Sequence, residues 1–481
     1  MDRTLPLKRF PDGFKVDSSK LAAGRYGTFE MCEIWGDTQT FERSLFVQGQ
    51  SALVLSELYP EIISPENARE IASHANLDYI NPERIRKLEF LKGHDVIAIN
   101  ESLEEVVSPE ARTHINRFKT SADTTQNARA LQIKSSLEVV ANSVENLRDI
   151  VIEKSLDWID VPFMVLTHGY DAAPSVAGRP LSHYAEMLQS GLNVLKFFYD
   201  NSIKGKWADT VGDHHSATSS GVDGMRIQEE FCKRIGVGFM DASAQIPGLE
   251  FEADLFYAVS RLGETTSNLA NFIAWGRSDD VNVFVNTSPQ KKKGSSGMPH
   301  KDAKNGNPTS EEQNMSLRNY LQGNVMTALA NCQMPYARNL AASANGRINL
   351  EDGFKFFDHA TREMAKTIYW IGINEERSKE RVSRSYGVVT SQQVMTYLTD
   401  HRMVTNPMGR GEAHNLMGKL ATESWERKIP FVEIVLANDE VRKRLSEDTI
   451  RRITNPFDYI GRSKEIVRIV ADKFYKQRTF V

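Results

Sequence analysis

The sequence is poor in the features that staple, anchor or address a chain. Its three cysteines, Cys32, Cys232 and Cys332, lie far apart with no CxxC pair, so neither a disulfide framework nor a thiolate metal site is expected. A reducing cytosol is the simplest setting. No stretch approaches about 18 uninterrupted apolar residues, which excludes a spanning helix. The opening segment MDRTLPLKRFPDGFKVDSSK lacks the apolar core of a secretory signal. Neither sign of charge prevails: 59 Lys and Arg stand against 63 Asp and Glu, a formal charge of -4 over 481 residues. That balance is no footprint for nucleic acid or an acidic membrane surface. GxGxxG, P-loop, HExxH and EF-hand patterns are all missing, so no cofactor and no metal is expected. His214-His215 does not alter this, because adjacent side chains diverge and no partner ligand sits at helical spacing.

What is present is an ordinary globular composition, 40% hydrophobic and 25% charged. The length corresponds to two to four units of about 150 residues each. Glu30 to about Glu57 is patterned as a helix, and Ser64-Pro65 reads as an N-cap followed by proline at the first helical position. Several short helices are expected up to about residue 118. Between Thr120 and Lys154 there is neither proline nor glycine, and Leu137, Val140, Val144, Leu147 and Val151 recur at spacings of 3 and 4. That is one apolar stripe along a long bundle helix. Leu181 to Asn201, Leu249 to Val281, Glu311 to Met334 and Leu350 to Ile373 are four more such helices. They predict an elongated helix bundle rather than an α/β domain, whose helices average about 11 to 12 residues. Beyond Glu375 helices shorten and charge rises, as in a further, smaller helical domain.

One segment interrupts this pattern. Asn286 to Pro308 is rich in glycine, proline and lysine and must be a loop. A loop of this length within a helical protein is either functional or disordered. Within it, Gly294-Ser295-Ser296-Gly297 gives a serine backbone freedom, and Lys301 lies close in sequence. Taken alone, Lys291-Lys292-Lys293 reads as a solvated surface run. His168, in Thr167-His168-Gly169, ends an apolar run in a turn-like context, where an imidazole is either structural or reactive.

Taken together these segments resemble a family. Gly294-Ser-Ser-Gly-Met-Pro-His-Lys301 followed by Asn307-Pro308 is similar to the signature loop of the fumarase/aspartase superfamily. Arg25-Tyr26-Gly-Thr-Phe-Glu30-Met31, Gly93-His94-Asp95-Val96, Thr120-Ser121-Ala122-Asp123, Thr167-His168-Gly169 and Asn455-Pro-Phe-Asp-Tyr459-Ile-Gly461 resemble, in order, motifs of its adenylosuccinate lyase branch. Arg338, Ser343 and Arg347 keep the spacing of that branch's substrate-contacting Arg, Ser and Arg. The resemblance runs from about residue 25 to 475. It implies an all-α fold of three helical domains: 1–119 with an N-terminal arm, 120–373 carrying the signature loop 286–308, and 374–481. The central long-helix bundle would tetramerise into a twenty-helix core, with each site drawn from three subunits.

The resemblance also implies a chemistry, the release of fumarate from a succinylated amine. The substrates would be adenylosuccinate and the succinylcarboxamide ribotide of purine synthesis, SAICAR, giving AMP and AICAR. Removing a weakly acidic C–H beside a carboxylate builds a doubly charged aci-carboxylate, which requires preorganised positive charge and donors. Ser295 is the implied base. His168 would protonate the leaving nitrogen, with Glu312 orienting it and raising its pKa. His94 supports at the nucleotide, with Asp95 beside it. Lys301, Asn307, Thr120 and Ser121 would hold the carboxylate undergoing activation, and Gln245 the succinyl group. Arg25, Tyr26, Ser343 and Arg347 would hold phosphate and ribose, a task for arginine forks, with Arg338 nearby. The chain departs from the family pattern in four places. Asp-Ala-Lys-Asn-Gly stands between Lys301 and Asn307 in place of one residue, which makes Asn305 a rival to Asn307. Asn116 replaces a histidine, Ala337-Arg338-Asn339 replaces Glu-Arg-Asp, and Tyr170 replaces a common glutamine. Two other readings stand beside the main one: a divergent lyase for another succinylated amine, and a non-catalytic homologue that keeps only the bundle.

Overall fold

The computed structural model describes residues 3–14, 25–291 and 293–480, and within them the architecture is helical, with three two-stranded sheets as its only strands. Six helices come first: α1 (Phe29–Ile34), α2 (Asp37–Leu58), α3 (Pro65–His74), α4 (Pro82–Lys92), α5 (Asp95–Glu104) and α6 (Pro109–Arg112). The single helix expected from Glu30 to about Glu57 is two. Trp35 is tied to the bundle, its indole N–H donating to Ser136 Oγ at 2.9 Å and its ring stacked on Phe354. Gly36 then takes an extended conformation and caps α2. At Ser64 the expected cap forms, with the Asn67 N–H donating to its hydroxyl beside Pro65.

The central helix α7 (Ser121–Asp157) runs 37 residues, about 55 Å at 1.5 Å per residue. Its five stripe residues, Leu137, Val140, Val144, Leu147 and Val151, are all fully buried. After a hairpin of β1 (Pro162–Thr167) and β2 (Tyr170–Val176) comes α8 (Gly178–Asn201). Strands β3 (Lys204–Gly205) and β4 (Gly238–Phe239) pair around α9 (His215–Ser219) and α10 (Gly224–Ile235). Three more long helices follow, α11 (Glu250–Arg277), α12 (Thr309–Asn331) and α13 (Ser343–Trp370), with β5 (Phe284–Asn286) pairing to β6 (Ile371–Ile373). Helix α11 stops four residues short of Val281, where Ser278-Asp279-Asp280 would set negative charge at the C-terminal end of the dipole. Helix α13 starts seven residues before Leu350. Asn345, Gly346 and Asn349 are poor helix formers, but packing against α12, including reciprocal side-chain bonds between Asn349 and Asn324, outweighs propensity.

Helix α7 packs on α8 and α13, α11 on α8 and α12, and α12 on α13. Their apolar faces share one core, which the last described helix, Ser463–Phe474, joins through Val470 and Phe474. A second core joins α2 to α6 with α10, and a third lies among the short helices after α14 (Glu375–Ser383), between Val394 and Ile453. Tyr257, Tyr320, Met326, Leu329 and Ile348, on α11 to α13, stay exposed, leaving the bundle with apolar surface that the described residues do not cover. No helix among the described residues is long and apolar enough to cross a membrane.

Candidate active site

One group of the expected residues gathers where α7 and α13 begin. Gly93, in the left-handed region, ends α4 and turns the chain so that His94 caps α5. The His94 Nε2 lies 3.4 Å from Ser121 Oγ, and its Nδ1 lies 3.3 Å from Asp95 Oδ1. Thr120-Ser121-Ala122-Asp123 is a capping sequence, since the Thr120 N–H donates to Asp123 Oδ2 at 2.8 Å. Asp123 is buried; burial pushes its carboxyl up, and the Lys206 ammonium at 2.5 Å works against that. It also accepts the Ala208 N–H, tying the 206–210 segment to the start of α7. Gln245 joins through its side chain, which donates to the Thr210 carbonyl, and its N–H, which donates to the Ala337 carbonyl. Arg347 reaches Asp95 at 3.7 Å, and Ser343 opens α13. Arg338 is half-buried, and its Nε and Nη1 have no hydrogen-bond partner among the described residues. Burial, with Arg129 and Arg347 nearby, lowers its pKa. A guanidinium in that state favours an anion.

Asn116, which replaces the family's histidine, faces inward: its Oδ1 accepts from Gln48 Nε2 at 3.2 Å. The same glutamine accepts from Lys119 Nζ at 2.6 Å, and burial brings that lysine down to about 7. Lys119 and Gln48 therefore support the backbone just before Thr120. No local pattern signals this, because the network joins residues 68 and 71 apart in the chain.

A second group lies at the opposite end of the bundle. Ser295 and Lys301 sit on the loop between β5 and α12, and Pro299–Lys304 forms a 3-10 turn within it. The Asn307 amide donates to the Gly294 carbonyl at 2.8 Å. Asn305, its rival, is buried and turned away, donating to the Ser288 carbonyl at 3.0 Å. Glu312 is exposed on the first turn of α12, whereas Glu311 beside it is buried and pairs with Arg277 at 2.6 Å. Arg277 also donates to the Gly306 carbonyl. Below the loop, Arg277, Asn286, Ser288, Asn307, Glu363 and Lys366 line a small polar cavity.

His168 stands at the tip of the β1–β2 hairpin. His168 (φ 54°) and Gly169 (φ 84°) both adopt left-handed conformations, as a two-residue hairpin turn of type I′ demands. The tip is exposed, and Asp171 pairs with Arg384 at 3.0 Å. Arg25 and Tyr26 form a fourth place, along the flank of α13. The Tyr26 ring meets His359 and Phe356 edge-on, and the Arg25 carbonyl accepts from Arg9 at 2.7 Å. Arg9 lies in a stretch without periodicity, so its role was not readable from the sequence.

These places are far apart in one chain. Arg347 belongs to the first group, and the Trp370 carbonyl accepts the Thr287 N–H at the root of the loop. Twenty-three residues of one helix separate them, about 35 Å. Thr120 and Ser121 thus do not meet Lys301 and Asn307 within a single chain.

Two family models match the chain. The family model described as "Lyase" matches residues 30–322, and one described as "Adenylosuccinate lyase C-terminus" matches 387–470. Adenylosuccinate lyase of Pyrococcus abyssi is 28% identical over 93% of this chain and 96% of its own length. The enzymes of that name from Methanocaldococcus jannaschii (92% of this chain, 93% of the relative) and Bacillus subtilis (90% and 95%) are each 26% identical. Among solved structures, a fumarate lyase from Mesorhizobium sp. BNC1 superposes with a TM-score of 0.80 at 18% identity, covering 93% of this chain and 98% of that one. The 3-carboxy-cis,cis-muconate lactonizing enzyme of Pseudomonas putida gives 0.77 at 17%, covering 93% and 97%.

Proposed function

Because the chain belongs to the lyase family, within the fumarase/aspartase superfamily, we propose that it is a C–N lyase with adenylosuccinate lyase activity. It eliminates fumarate from adenylosuccinate to give AMP and from SAICAR to give AICAR. The observation that carries this reading is the conjunction in one chain of the serine loop with a separate cationic group, Arg338 and Arg347 beside His94 and Ser121. A substrate bearing phosphate at one end and two carboxylates at the other calls for both. Argininosuccinate, which carries no phosphate, does not.

In this reading Ser295 Oγ, ionised within a donor-rich loop, takes the proton from the succinyl carbon. The electron pair left behind spreads into the adjacent carboxylate, which Lys301 and Asn307 of one subunit and Thr120 and Ser121 of another stabilise. As the pair returns to form the fumarate double bond, the C–N bond breaks and His168 gives its proton to the departing nitrogen, with Glu312 holding the imidazole. His94 and Asp95 flank the base end of the nucleotide, Gln245 receives the distal carboxylate, and Arg25, Tyr26, Arg338, Ser343 and Arg347 take phosphate and ribose. The site is shared among the subunits of a homotetramer, whose contacts cover the exposed Tyr257, Met326 and Leu329 of the bundle. With units of 1–119, 120–373 and 374–481, Arg25, Tyr26, His94 and Asp95 belong to the first and the site residues from Thr120 to Arg347 to the second.

Purified protein is assayed for fumarate release from both succinylated ribotides. Ser295→Ala and His168→Ala should each abolish turnover while leaving the assembly intact. Near-full activity in either variant overturns the assignment of that residue, and no release from either ribotide by the wild-type protein overturns the function.

A further inference from the structure

The insertion that separates Lys301 from Asn307 is bonded to the segments around it at several points. Asp302 Oδ1 accepts the Gly294 N–H at 2.7 Å, and its Oδ2 accepts Lys293 Nζ at 2.9 Å. From the other side, the Asn307 amide donates to the Gly294 carbonyl. Both polar groups of the residue immediately before Ser295 are therefore held by side chains that follow it in the loop. The chain doubles back so closely that a Cβ on Gly294 would lie 2.4 Å from Lys301 Cβ and 2.7 Å from the Lys301 carbonyl oxygen. The insertion is moored outward as well. Lys304 pairs with Asp279 at 2.5 Å, and Asn305 donates to the Ser288 carbonyl at 3.0 Å. Asn305 and Gly306 both take left-handed conformations that turn the chain back toward Asn307.

We propose that residues 302–306 form a clasp that holds the Ser295 loop in one shape before substrate arrives, with Asp302 as its positioning residue. Asp302 acts through Gly294 and touches no reacting atom. Its Oδ1 holds the Gly294 N–H, one residue before Ser295, while its Oδ2 draws in the Lys293 ammonium; with Asn307 on the Gly294 carbonyl, this sets the distance between Ser295 Oγ and the carbon it deprotonates. A misplacement of that hydroxyl slows proton abstraction far more than it weakens binding to the arginines elsewhere.

The inference rests on Ser295 as the base, and the test separates the two. Wild type, Ser295→Ala, Asp302→Ala and Asp302→Asn proteins are assayed as intact assemblies, with ordinary substrate and with substrate deuterated at the carbon that loses its proton. Amide exchange of the 290–300 segment is followed in parallel. Asp302→Ala should lower kcat about tenfold to a hundredfold with KM little changed, and should enlarge the deuterium effect as abstraction becomes limiting. Asp302→Asn, which keeps an acceptor for the Gly294 N–H, should recover most of the loss. Exchange at Gly294 should speed up in Asp302→Ala alone. Wild-type kcat in Asp302→Ala overturns the proposal, and so do equal losses in both Asp302 variants with an unchanged isotope effect. Full activity in Ser295→Ala removes the base instead, and Gly294 exchange then decides the clasp by itself: slow exchange in Asp302→Ala overturns it.

Discussion

Mixing two inactive variants gives a direct measure of how the site is assembled. His94 and Ser295 belong to groups separated along the bundle by about 35 Å, whereas reacting groups must come within about 3–3.5 Å of substrate. If each site takes its His94 group from one subunit and its Ser295 loop from another, His94→Ala and Ser295→Ala proteins should complement one another. In a 1:1 mixture after random subunit exchange, a given site has one chance in two of an intact His94 and, independently, one in two of an intact Ser295. About a quarter of the sites are then wild type, and turnover should return to about 25% of the wild-type value. The control comes from the first group itself. His94 and Ser121 lie 3.4 Å apart in one chain, so a mixture of His94→Ala and Ser121→Ala should stay inactive. Exchange is initiated by mild denaturation and verified by native mass spectrometry. Verified hybrids as inactive as both parents would refute the shared site, and so would recovery in the His94 and Ser121 mixture.

The other expectations concern binding and stability. Arg338 has two guanidinium nitrogens without partners and lies near Arg129 and Arg347, so Arg338→Gln should leave the unfolding midpoint unchanged or raise it. Loss of a charged hydrogen bond to an anionic substrate should raise KM about tenfold to a hundredfold; an unaltered KM would show that Arg338 does not face substrate. Burial and the neighbouring Arg9 lower His359 from its ordinary 6.5 to about 4. The unfolded chain therefore binds the extra proton between those values, and stability present above pH 6.5 is lost as the pH falls toward 4. For this group the loss is up to about 3 kcal/mol, so urea unfolding of His359→Gln should show a shallower pH dependence across that window. An identical slope would contradict it. Gly178 packs where an added Cβ would lie 2.0 Å from the Ser155 carbonyl oxygen, a backbone atom unable to yield freely. Gly178→Ala should cost about 1–3 kcal/mol in denaturant titration, and a change within error would mean that α8 shifts without penalty.

The long helices were legible because their signal is local. A stripe such as Leu137 to Val151 repeats with the period of the helix that buries it, and all five residues are buried. The break at Trp35-Gly36 was not, because it depends on Ser136 and Phe354, about 100 and 320 residues away. The hairpin carrying His168 is only six or seven residues a side, too short to separate from the apolar end of a helix by periodicity. Candidate site residues were legible where a motif has its own local geometry. Thr120 to Asp123 forms a helix cap, and Gly93 ends one helix and turns the chain to begin the next. Asp302, Lys119, Gln48 and Arg9 passed unnoticed because each acts on a neighbour brought close by folding.

On the proposed shared site, the separation of the two groups also constrains how copies of the chain would pack. Helices α7 and α13 both start at the His94 group, and α13 ends at the loop that carries Ser295. Two copies lying side by side in parallel would set His94 beside His94 and Ser295 beside Ser295, leaving every site as divided as in the single chain. Antiparallel packing sets the start of α13 in one copy against its end in the next, and it does so at both ends of the pair at once. A two-fold axis perpendicular to the bundle produces that arrangement. The exposed apolar residues fit it, since Tyr257, Tyr320, Met326, Leu329 and Ile348 lie on α11, α12 and α13, where such a contact would run. The formal total is only -4, yet Arg338 and Arg347 stand at one end and Lys301 at the other, where Lys293 and Lys304 are paired with Asp302 and Asp279. Antiparallel copies would bring these cations together, a repulsion that opposes pairing of empty copies and that a substrate carrying a phosphate and two carboxylates would relieve.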